Sequence, residues 1–234
     1  MRLKFAFFAL FVICITLFAS CNQGKSESPS SGDPSPLGQD NPFYTFEEFF
    51  GDLNGDGKED RVTVIKNTVI DYQGESDMTR RGIVIAFNNN GNYEQVLINQ
   101  NCFSSENEHG GTYFAPELSI KIERGNLYIA YDHGKYGSHR YTFRYRNGDF
   151  ELIGYDKTEF RSSEEMDWIL TTITSINFNT KRKQIKTDIA PGKVEETWED
   201  IVITKLVKLS DIADFDEFNP SLFFERYFSH GDKL

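Results

Sequence analysis

One short segment of the chain carries side chains that could bind a metal ion. Residues 51–60 read GDLNGDGKED, and oxygen-bearing side chains recur there at Asp52, Asn54, Asp56 and Asp60. Ca²⁺ takes about six to eight oxygen ligands, and a loop that turns through Gly57 lets alternate residues point at one centre. Lys58 would contribute its backbone carbonyl oxygen. The sequence therefore predicts a structural Ca²⁺ site formed by Asp52, Asn54, Asp56, Lys58 and Asp60.

The spacing in this loop departs from that of an EF-hand. An EF-hand places a bidentate Glu at its twelfth position and continues as a helix, whereas this chain has Thr63 there, within a segment that reads as a strand. The loop resembles instead the calcium loop of FG-GAP (integrin-propeller) and VCBS repeats, which leads directly into a strand. That resemblance implies Ca²⁺ ligands at Asp52, Asn54, Asp56 and Asp60. The alternative is an acidic turn without metal, but crowded carboxylates repel one another unless a cation or solvent offsets them.

The segment YDHGKYGSHR at residues 131–140 offers groups that are used in hydrolysis. In a hydrolase, His133 or His139 would act as the general base. Asp132 or a distant acid would orient the base, and Ser138 would be the nucleophile. Adjacent residues of a strand point to opposite faces, however, so Asp132 and His133 would not meet there. The sequence favours a polar hairpin loop without a catalytic role.

Carboxylates elsewhere leave a second enzymatic interpretation open, because a glycoside hydrolase needs two carboxyl groups about 5–10 Å apart in a cleft. The candidates are Glu164, Glu165, Asp167, Glu195, Glu196, Glu199 and Asp200. Acids mostly occupy solvated surfaces, so their number is weak support. Residues 106–111, ENEHGG, are likewise interpreted as a solvated loop, since neither a two-histidine helix pattern nor a Cys pair accompanies them.

Two apolar features are interpreted as core. Cys102 is predicted to be a small buried side chain. Aromatic residues alternate with Arg at residues 140–145, and core packing is favoured there over a sugar- or peptide-binding face.

Composition and charge limit the classes of function. The chain has 234 residues, which is typical of one domain or two small ones. Hydrophobic residues make up 38% and aromatic residues 15%, enough apolar material for a packed core. The net charge is -11, and this acidity repels phosphate backbones. We therefore expect a folded protein without a nucleic-acid partner.

Residues 1–20 are typical of a lipoprotein signal peptide. Basic residues open the chain, an apolar run extends from Phe5 to Phe18, and small residues lead to Cys21. The stretch LFASC resembles the lipobox of bacterial lipoproteins, although Phe18 stands where Leu is usual. The resemblance implies a diacylglycerol on Cys21 and, because Asn22 follows, attachment to the outer membrane. The alternatives are a plain secretory signal or a membrane anchor, but the apolar run is shorter than the roughly 20 residues of a spanning helix.

The folded part is predicted to be one mainly β, antiparallel domain at residues 43–234, after a flexible tether at 21–42 that is rich in Ser, Gly, Pro and Asn. Short β-branched and aromatic runs alternate with polar residues, and turns separate them. These turns are expected at 88–92, 124–126, 146–149 and 179–183. The expected architecture is a sandwich, a curved sheet or an irregular barrel. Short helices are predicted at 162–169 and within the C-terminal segment 209–228.

The function that these observations favour is non-enzymatic. We expect a lipid-anchored protein of the bacterial cell envelope, with Ca²⁺ as a structural cofactor and a binding or scaffolding role. A lone loop of this type followed by strands such as 141–155 is similar to a group of bacterial lipoproteins, and that resemblance implies no activity. The membrane is contacted through the lipid anchor, the expected ligand is a glycan or an envelope protein, and the chain is expected to be a monomer. The alternative is a secreted or envelope-anchored glycan hydrolase that uses a carboxylate pair.

Overall fold

The computed structural model describes residues 42–107, 115–163 and 166–221, without the side chains at 163 and 166–168. Within these residues the chain forms thirteen β-strands. In chain order they are β1 (Phe43–Gly51), β2 (Asp60–Asn67), β3 (Tyr72–Gln73), β4 (Ser76–Asp77), β5 (Arg81–Asn89), β6 (Asn92–Phe103), β7 (Glu117–Glu123), β8 (Asn126–Asp132), β9 (Gly137–Arg146), β10 (Asp149–Ser163), β11 (Met166–Asn177), β12 (Arg182–Ala190) and β13 (Lys193–Asp200). Two 3-10 turns lie at Gly134–Tyr136 and Leu209–Asp211.

The strands form two large antiparallel sheets. The narrow sheet has the order β1-β2-β5-β6 and the wide sheet the order β13-β12-β11-β10-β9-β8-β7, while β3 and β4 form a separate hairpin. Every strand of the wide sheet pairs with its neighbours in sequence because short turns connect them. Arg124, Asn147 and Lys181 take left-handed φ angles of 53°, 53° and 56° in three of these turns, as tight hairpins require. The predicted hairpins are therefore confirmed.

The two sheets pack face to face around one apolar core. Alternate residues of each strand point inward. The narrow sheet contributes Val62, Val64, Ile83, Ile85 and Leu97, and the wide sheet contributes Leu127, Ile129, Phe143, Phe150 and Leu152. The prediction of a mainly β, antiparallel domain is confirmed. Of the three expected architectures, a sandwich, a curved sheet or an irregular barrel, the structure shows the sandwich. In the described residues both sheets are open.

The segment after β13 covers part of this core. Leu209, Ile212 and Phe215 are buried in the core cluster. The Asn99 side-chain amide on β6 donates to the carbonyl oxygens of Leu209 and Ile212 at 3.1 and 2.7 Å, so the segment is fixed by polar as well as apolar contacts. Of the C-terminal helix predicted within 209–228, the structure describes the 3-10 turn Leu209–Asp211, and residues from 222 lie outside the description.

The helix predicted at 162–169 was wrong, because its described residues belong to β10 and β11. Phe160 pairs with Thr171, and Ser162 pairs with Ile169. These β-branched and aromatic partners favour a sheet. A helix-capping sequence is worth only about 1 kcal/mol, so cross-strand pairing along the whole hairpin outweighs it.

No helix in the described part of the chain has the length and apolar character needed to cross a membrane.

Cys102 is buried and free, and burial raises the pKa of its thiol. The interpretation of Cys102 as a buried core side chain is confirmed.

Candidate functional site

The predicted Ca²⁺ ligands lie in the acidic loop, residues 51–60, which connects β1 to β2. Gly55 and Gly57 have φ angles of +82° and +81°, a left-handed conformation that is unfavourable for a residue with a Cβ atom. The two glycines let the chain turn back on itself within a few residues. The alternation of oxygen-bearing residues and glycines in the sequence is therefore realised as a tight loop.

Side-chain oxygens of the acidic loop accept hydrogen bonds from the loop backbone. Oδ1 and Oδ2 of Asp52 accept from the N–H groups of the two left-handed glycines at 2.6 and 2.9 Å. Asn54 Oδ1 accepts from the Asp56 N–H, and Asp56 Oδ1 accepts from the Lys58 N–H, both at 2.9 Å. These bonds fix the side chains that carry the predicted metal ligands.

Asp60 connects the acidic loop to the narrow sheet. It is the first residue of β2 and is fully buried. Its Oδ2 accepts from the Leu53 N–H inside the loop at 2.8 Å, and its Oδ1 accepts from the Asn88 N–H on β5 at 3.0 Å. Hydrogen bonds to an ionised acceptor are among the stronger ones in proteins. Asp60 therefore ties the loop to the sheet through backbone donors on both sides.

The acidic loop offers oxygen donors of the kind that Ca²⁺ prefers. Each carboxylate or amide oxygen that accepts one N–H keeps a second lone pair for a cation. The Lys58 ammonium lies 3.6 Å from Asp56 Oδ2 and partly offsets the loop's charge. Among the residues that the structure describes, no group of three or more His, Cys, Asp or Glu side chains is arranged to hold a metal ion. The Ca²⁺ site therefore stays a prediction.

The two histidines of residues 131–140 meet at the β8–β9 hairpin. His133 Nε2 and His139 Nδ1 are 3.0 Å apart, and the donor depends on the tautomer. Burial, helped by His133 and Lys157, lowers the pKa of His139 to about 4, and burial also lowers the pKa of His133. Asp132 does not orient this pair through Oδ1, which accepts from the Gly134 N–H at 2.7 Å. The sequence interpretation, which treated the histidines as alternatives, missed their pairing.

A cavity of about 430 Å³, the second cavity, lies beside the histidine pair. Its described lining includes Tyr131, His133, His139, Tyr155, Glu159 and Asp216. Tyr131 stacks on His139 with 5.2 Å between ring centroids. The Tyr131 hydroxyl is buried and has no hydrogen-bond partner among the described residues, and burial raises its pKa. The second cavity therefore combines a neutral phenol, neutral imidazoles and carboxylates.

A larger cavity, the outer groove, crosses the face of the wide sheet that points away from the core. Its volume is about 560 Å³, and its described lining includes Tyr128, Arg140, Gly154, Asp156, Arg182 and Trp198. Arg140 and Thr142 point outward because Tyr141 and Phe143, which alternate with them on β9, are core residues. The prediction that the aromatic residues of this strand belong to the core is confirmed for Tyr141 and Phe143.

Glu106, which the sequence places in a solvated loop, pairs with a buried lysine. Lys66 Nζ lies 2.6 Å from Asp77 Oδ2 and 2.9 Å from Glu106 Oε1. Burial disfavours the charged form of Lys66, but hydrogen bonds to the two carboxylates outweigh it and raise its pKa. Burial also opposes ionisation of Asp77, yet hydrogen bonds from Lys66 and Thr79 lower its pKa to about 2. Sequence reasoning missed this cluster because Lys66 lies in an apolar strand and its partners Asp77 and Glu106 are 11 and 40 residues away in the sequence.

The described carboxylates that were candidates for glycan hydrolysis do not all lie on one face of the wide sheet. Glu196 and Asp200 share the outer face of the wide sheet with Trp198, whereas Glu195 and Glu199 alternate with them on the opposite face. The remaining predicted residues that lie outside the described side chains are Cys21, residues 108–111, Glu164, Glu165 and Asp167.

Comparison of this chain with protein-family models, curated proteins and solved structures found no match. The resemblances of the acidic loop and of the lipobox therefore rest on those motifs alone.

Proposed function

We propose that this chain is a lipid-anchored protein of the cell envelope, whose β-sandwich is stabilised by Ca²⁺ and binds a ligand on its outer face. The role is binding rather than catalysis, and the chain acts as a monomer. The single observation that carries the binding role is the outer groove, an open cavity on a sheet face that the core does not use. Cavities of about 300–1,000 Å³ are typical of ligand sites.

The anchor is supported by the order of segments along the chain. A signal-like segment ends before Cys21, a polar tether follows at residues 21–42, and the first strand begins at Phe43. Acyl chains on Cys21 would hold the protein at the outer membrane while the tether separates the sandwich from it. The net charge of -11 argues against direct contact between the sandwich and anionic lipid.

The proposed Ca²⁺ would act on the loop between β1 and β2. Asp52, Asn54, Asp56 and Asp60 would supply side-chain oxygens, and Lys58 its carbonyl oxygen. The cation would offset the repulsion among these carboxylates. Because Asp60 also contacts the β5 backbone, stiffening the loop would stabilise the narrow sheet.

Metabolic labelling with a palmitate analogue in a bacterial host tests the anchor. The full chain is expected to carry the label and to sediment with membranes, and Cys21→Ser is expected to abolish both. Cys14→Ser is the matched control, since Cys14 lies inside the apolar run and its loss should change neither result. Labelling that survives Cys21→Ser would contradict the proposed anchor.

The alternative function is an envelope-anchored glycan hydrolase, and the second cavity favours it. Glu159 and Asp216 line that cavity together with the histidine pair, so two carboxyl groups are available, as glycoside hydrolysis requires. This alternative predicts release of reducing ends from a polysaccharide and loss of the activity in Glu159→Gln. Binding of a polysaccharide without such release would favour the binding role.

A further inference from the structure

We propose that the outer groove binds an uncharged carbohydrate chain laid across strands β8 to β13. This inference rests on the proposed binding role and names its ligand class. The groove extends over five strand-to-strand steps, roughly 24 Å at about 4.8 Å per step. A site of this length fits a chain of sugar units better than a single small molecule.

Two rows of directly paired residues form the groove. One row runs from Tyr128 through Thr142, Gly154 and Asn177 to Arg182. The next row runs from Arg140 through Asp156, Ser175 and Gln184 to Trp198. In both rows the largest side chains stand toward the ends and smaller ones lie between. The face is therefore concave.

A β-bulge in β10 creates the floor of the groove. Leu152 pairs with Phe143 on β9, but the next pair is Gly154 with Thr142, so Ile153 is an extra residue. The bulge reverses the alternation, so that Gly154 and Asp156 point into the groove while Tyr155 points into the core. A Cβ atom added at Gly154 would lie 3.4 Å from Thr142 Cβ, so a larger residue would fill space that a ligand could occupy.

Aromatic rings at both ends of the groove are held in place before any ligand binds. The Arg182 guanidinium lies 4.5 Å from the Trp198 ring centroid, and Trp198 Nε1 donates to Glu196 Oε1 at 2.6 Å. At the other end, the Arg140 guanidinium lies 5.2 Å from the Tyr128 ring centroid. Trp198 is still 50% exposed. Rings of this kind offer flat apolar area, which suits the C–H faces of sugar rings.

The floor between the rings carries polar groups beside the side chains of Ile153 and Ile176. Ser175 Oγ donates to Asp156 Oδ1 at 2.9 Å, which orients that carboxylate. Asn177 and Asn179 use their amide oxygens within the protein, and their amide nitrogens have no partner among the described residues. Hydroxyl and amide groups together both donate and accept hydrogen bonds, as the hydroxyl groups of a carbohydrate require.

The charges of the groove indicate that the ligand is uncharged. Arg140 lies 2.8 Å from Asp156 Oδ2, and Arg182 lies 3.7 Å from Asp200 Oδ1. Each described cation of the lining therefore has an acidic neighbour. No unpaired positive charge is left among these described residues to bind a polyanion. An uncharged polar chain matches this balance, because a charged group without a partner is costly to desolvate. The groove also lies on the sheet face rather than at the open edge of β13, where an extended peptide would add as a strand.

Affinity electrophoresis of the full chain in detergent, in gels that contain soluble polysaccharides, tests this inference. The probes are uncharged β-glucan, xylan and galactomannan, with polygalacturonate as the charged comparison. Retardation by at least one uncharged polysaccharide is expected, and Trp198→Ala and Tyr128→Ala should each weaken it by about tenfold. Tyr72→Ala is the matched control, because Tyr72 is an exposed tyrosine on the separate β3–β4 hairpin.

Each other outcome overturns the inference. It is wrong if no uncharged polysaccharide retards the parent, if only polygalacturonate does, or if Trp198→Ala and Tyr128→Ala bind as well as Tyr72→Ala. Far-UV circular dichroism shows that the variants fold, and Trp198→Phe should retain most of the binding because it keeps an aromatic ring. The palmitate labelling reports the anchor separately, so failure here leaves the proposed anchor intact.

Discussion

Removing the Asp60 carboxylate should destabilise the protein even without Ca²⁺. In Asp60→Ala the Leu53 N–H loses its acceptor inside the structure, where Leu53 is buried, at a cost of about 1–3 kcal/mol. The Asn88 N–H also loses its acceptor, but Asn88 is partly exposed and water can replace the bond, so about 0.5–1.5 kcal/mol is expected there. The total loss in free energy of unfolding is about 1.5–4.5 kcal/mol.

Urea-induced unfolding in the presence of EGTA measures this loss, and the m-value checks that the transition stays two-state. Asp56→Ala is the matched control, because the Asp56 Oδ1 accepts one N–H in an exposed part of the loop. It should cost less than about 1 kcal/mol without Ca²⁺. The account of Asp60 as the residue that ties the loop to the sheet is refuted if Asp60→Ala costs no more than Asp56→Ala.

Three further perturbations test other parts of the structure. Hydrogen bonding to Lys66 helps hold the pKa of Asp77 at about 2. Lys66→Met should therefore be less stable than the parent above about pH 4. Urea unfolding at a series of acidic pH values should show this difference in stability shrinking as pH falls toward 2. Because the pKa of His139 in the folded protein is about 4, the unfolded chain takes up the proton at a higher pH than the folded one does. The free energy of unfolding should therefore fall as pH drops from about 6.5 to about 4. His139→Gln should weaken this pH dependence in calorimetric melts. Gly137 has a φ of +110°, and an added Cβ would clash with the Thr158 carbonyl oxygen. Gly137→Ala should therefore abolish folding or cost well over the roughly 1 kcal/mol expected for the control Gly148→Ala, because the surroundings of Gly148 are open. Equal losses of stability in the two variants, measured by urea unfolding, would be evidence against this packing.

Local sequence patterns predicted the fold of this chain because turn residues and the alternation of apolar and polar residues along a strand can be recognised within a few consecutive residues. Asn147 and Gly148 mark the β9–β10 hairpin directly, and the alternation of residues on β9 distinguishes Tyr141 and Phe143 from the outward Arg140. The SSEE start of the predicted helix at 162–169 was misleading because a local cap is weaker than pairing with a whole neighbouring strand. That pairing is not visible in a window of a few residues.

The candidate sites depended on contacts between distant residues, and the sequence predicted them only in part. The acidic loop was found because its residues are consecutive, but the contact of Asp60 with Asn88 joins β2 to β5 and requires the sheet order. The outer groove depends on the bulge at Ile153, whose trace in the sequence is the pair of apolar residues that interrupts the alternation of β10. Without the register of the wide sheet, that interruption does not indicate which residues face the groove.

The stabilisation of the acidic loop by Ca²⁺ is tested most directly by calorimetric titration of the purified full chain with CaCl₂, combined with thermal melting. The account predicts binding at one site and a higher melting temperature in Ca²⁺ than in EGTA, with both effects lost in Asp56→Ala. If the parent binds no Ca²⁺ and melts at the same temperature in both conditions, the acidic loop is a metal-free turn and the calcium-stabilised function is contradicted.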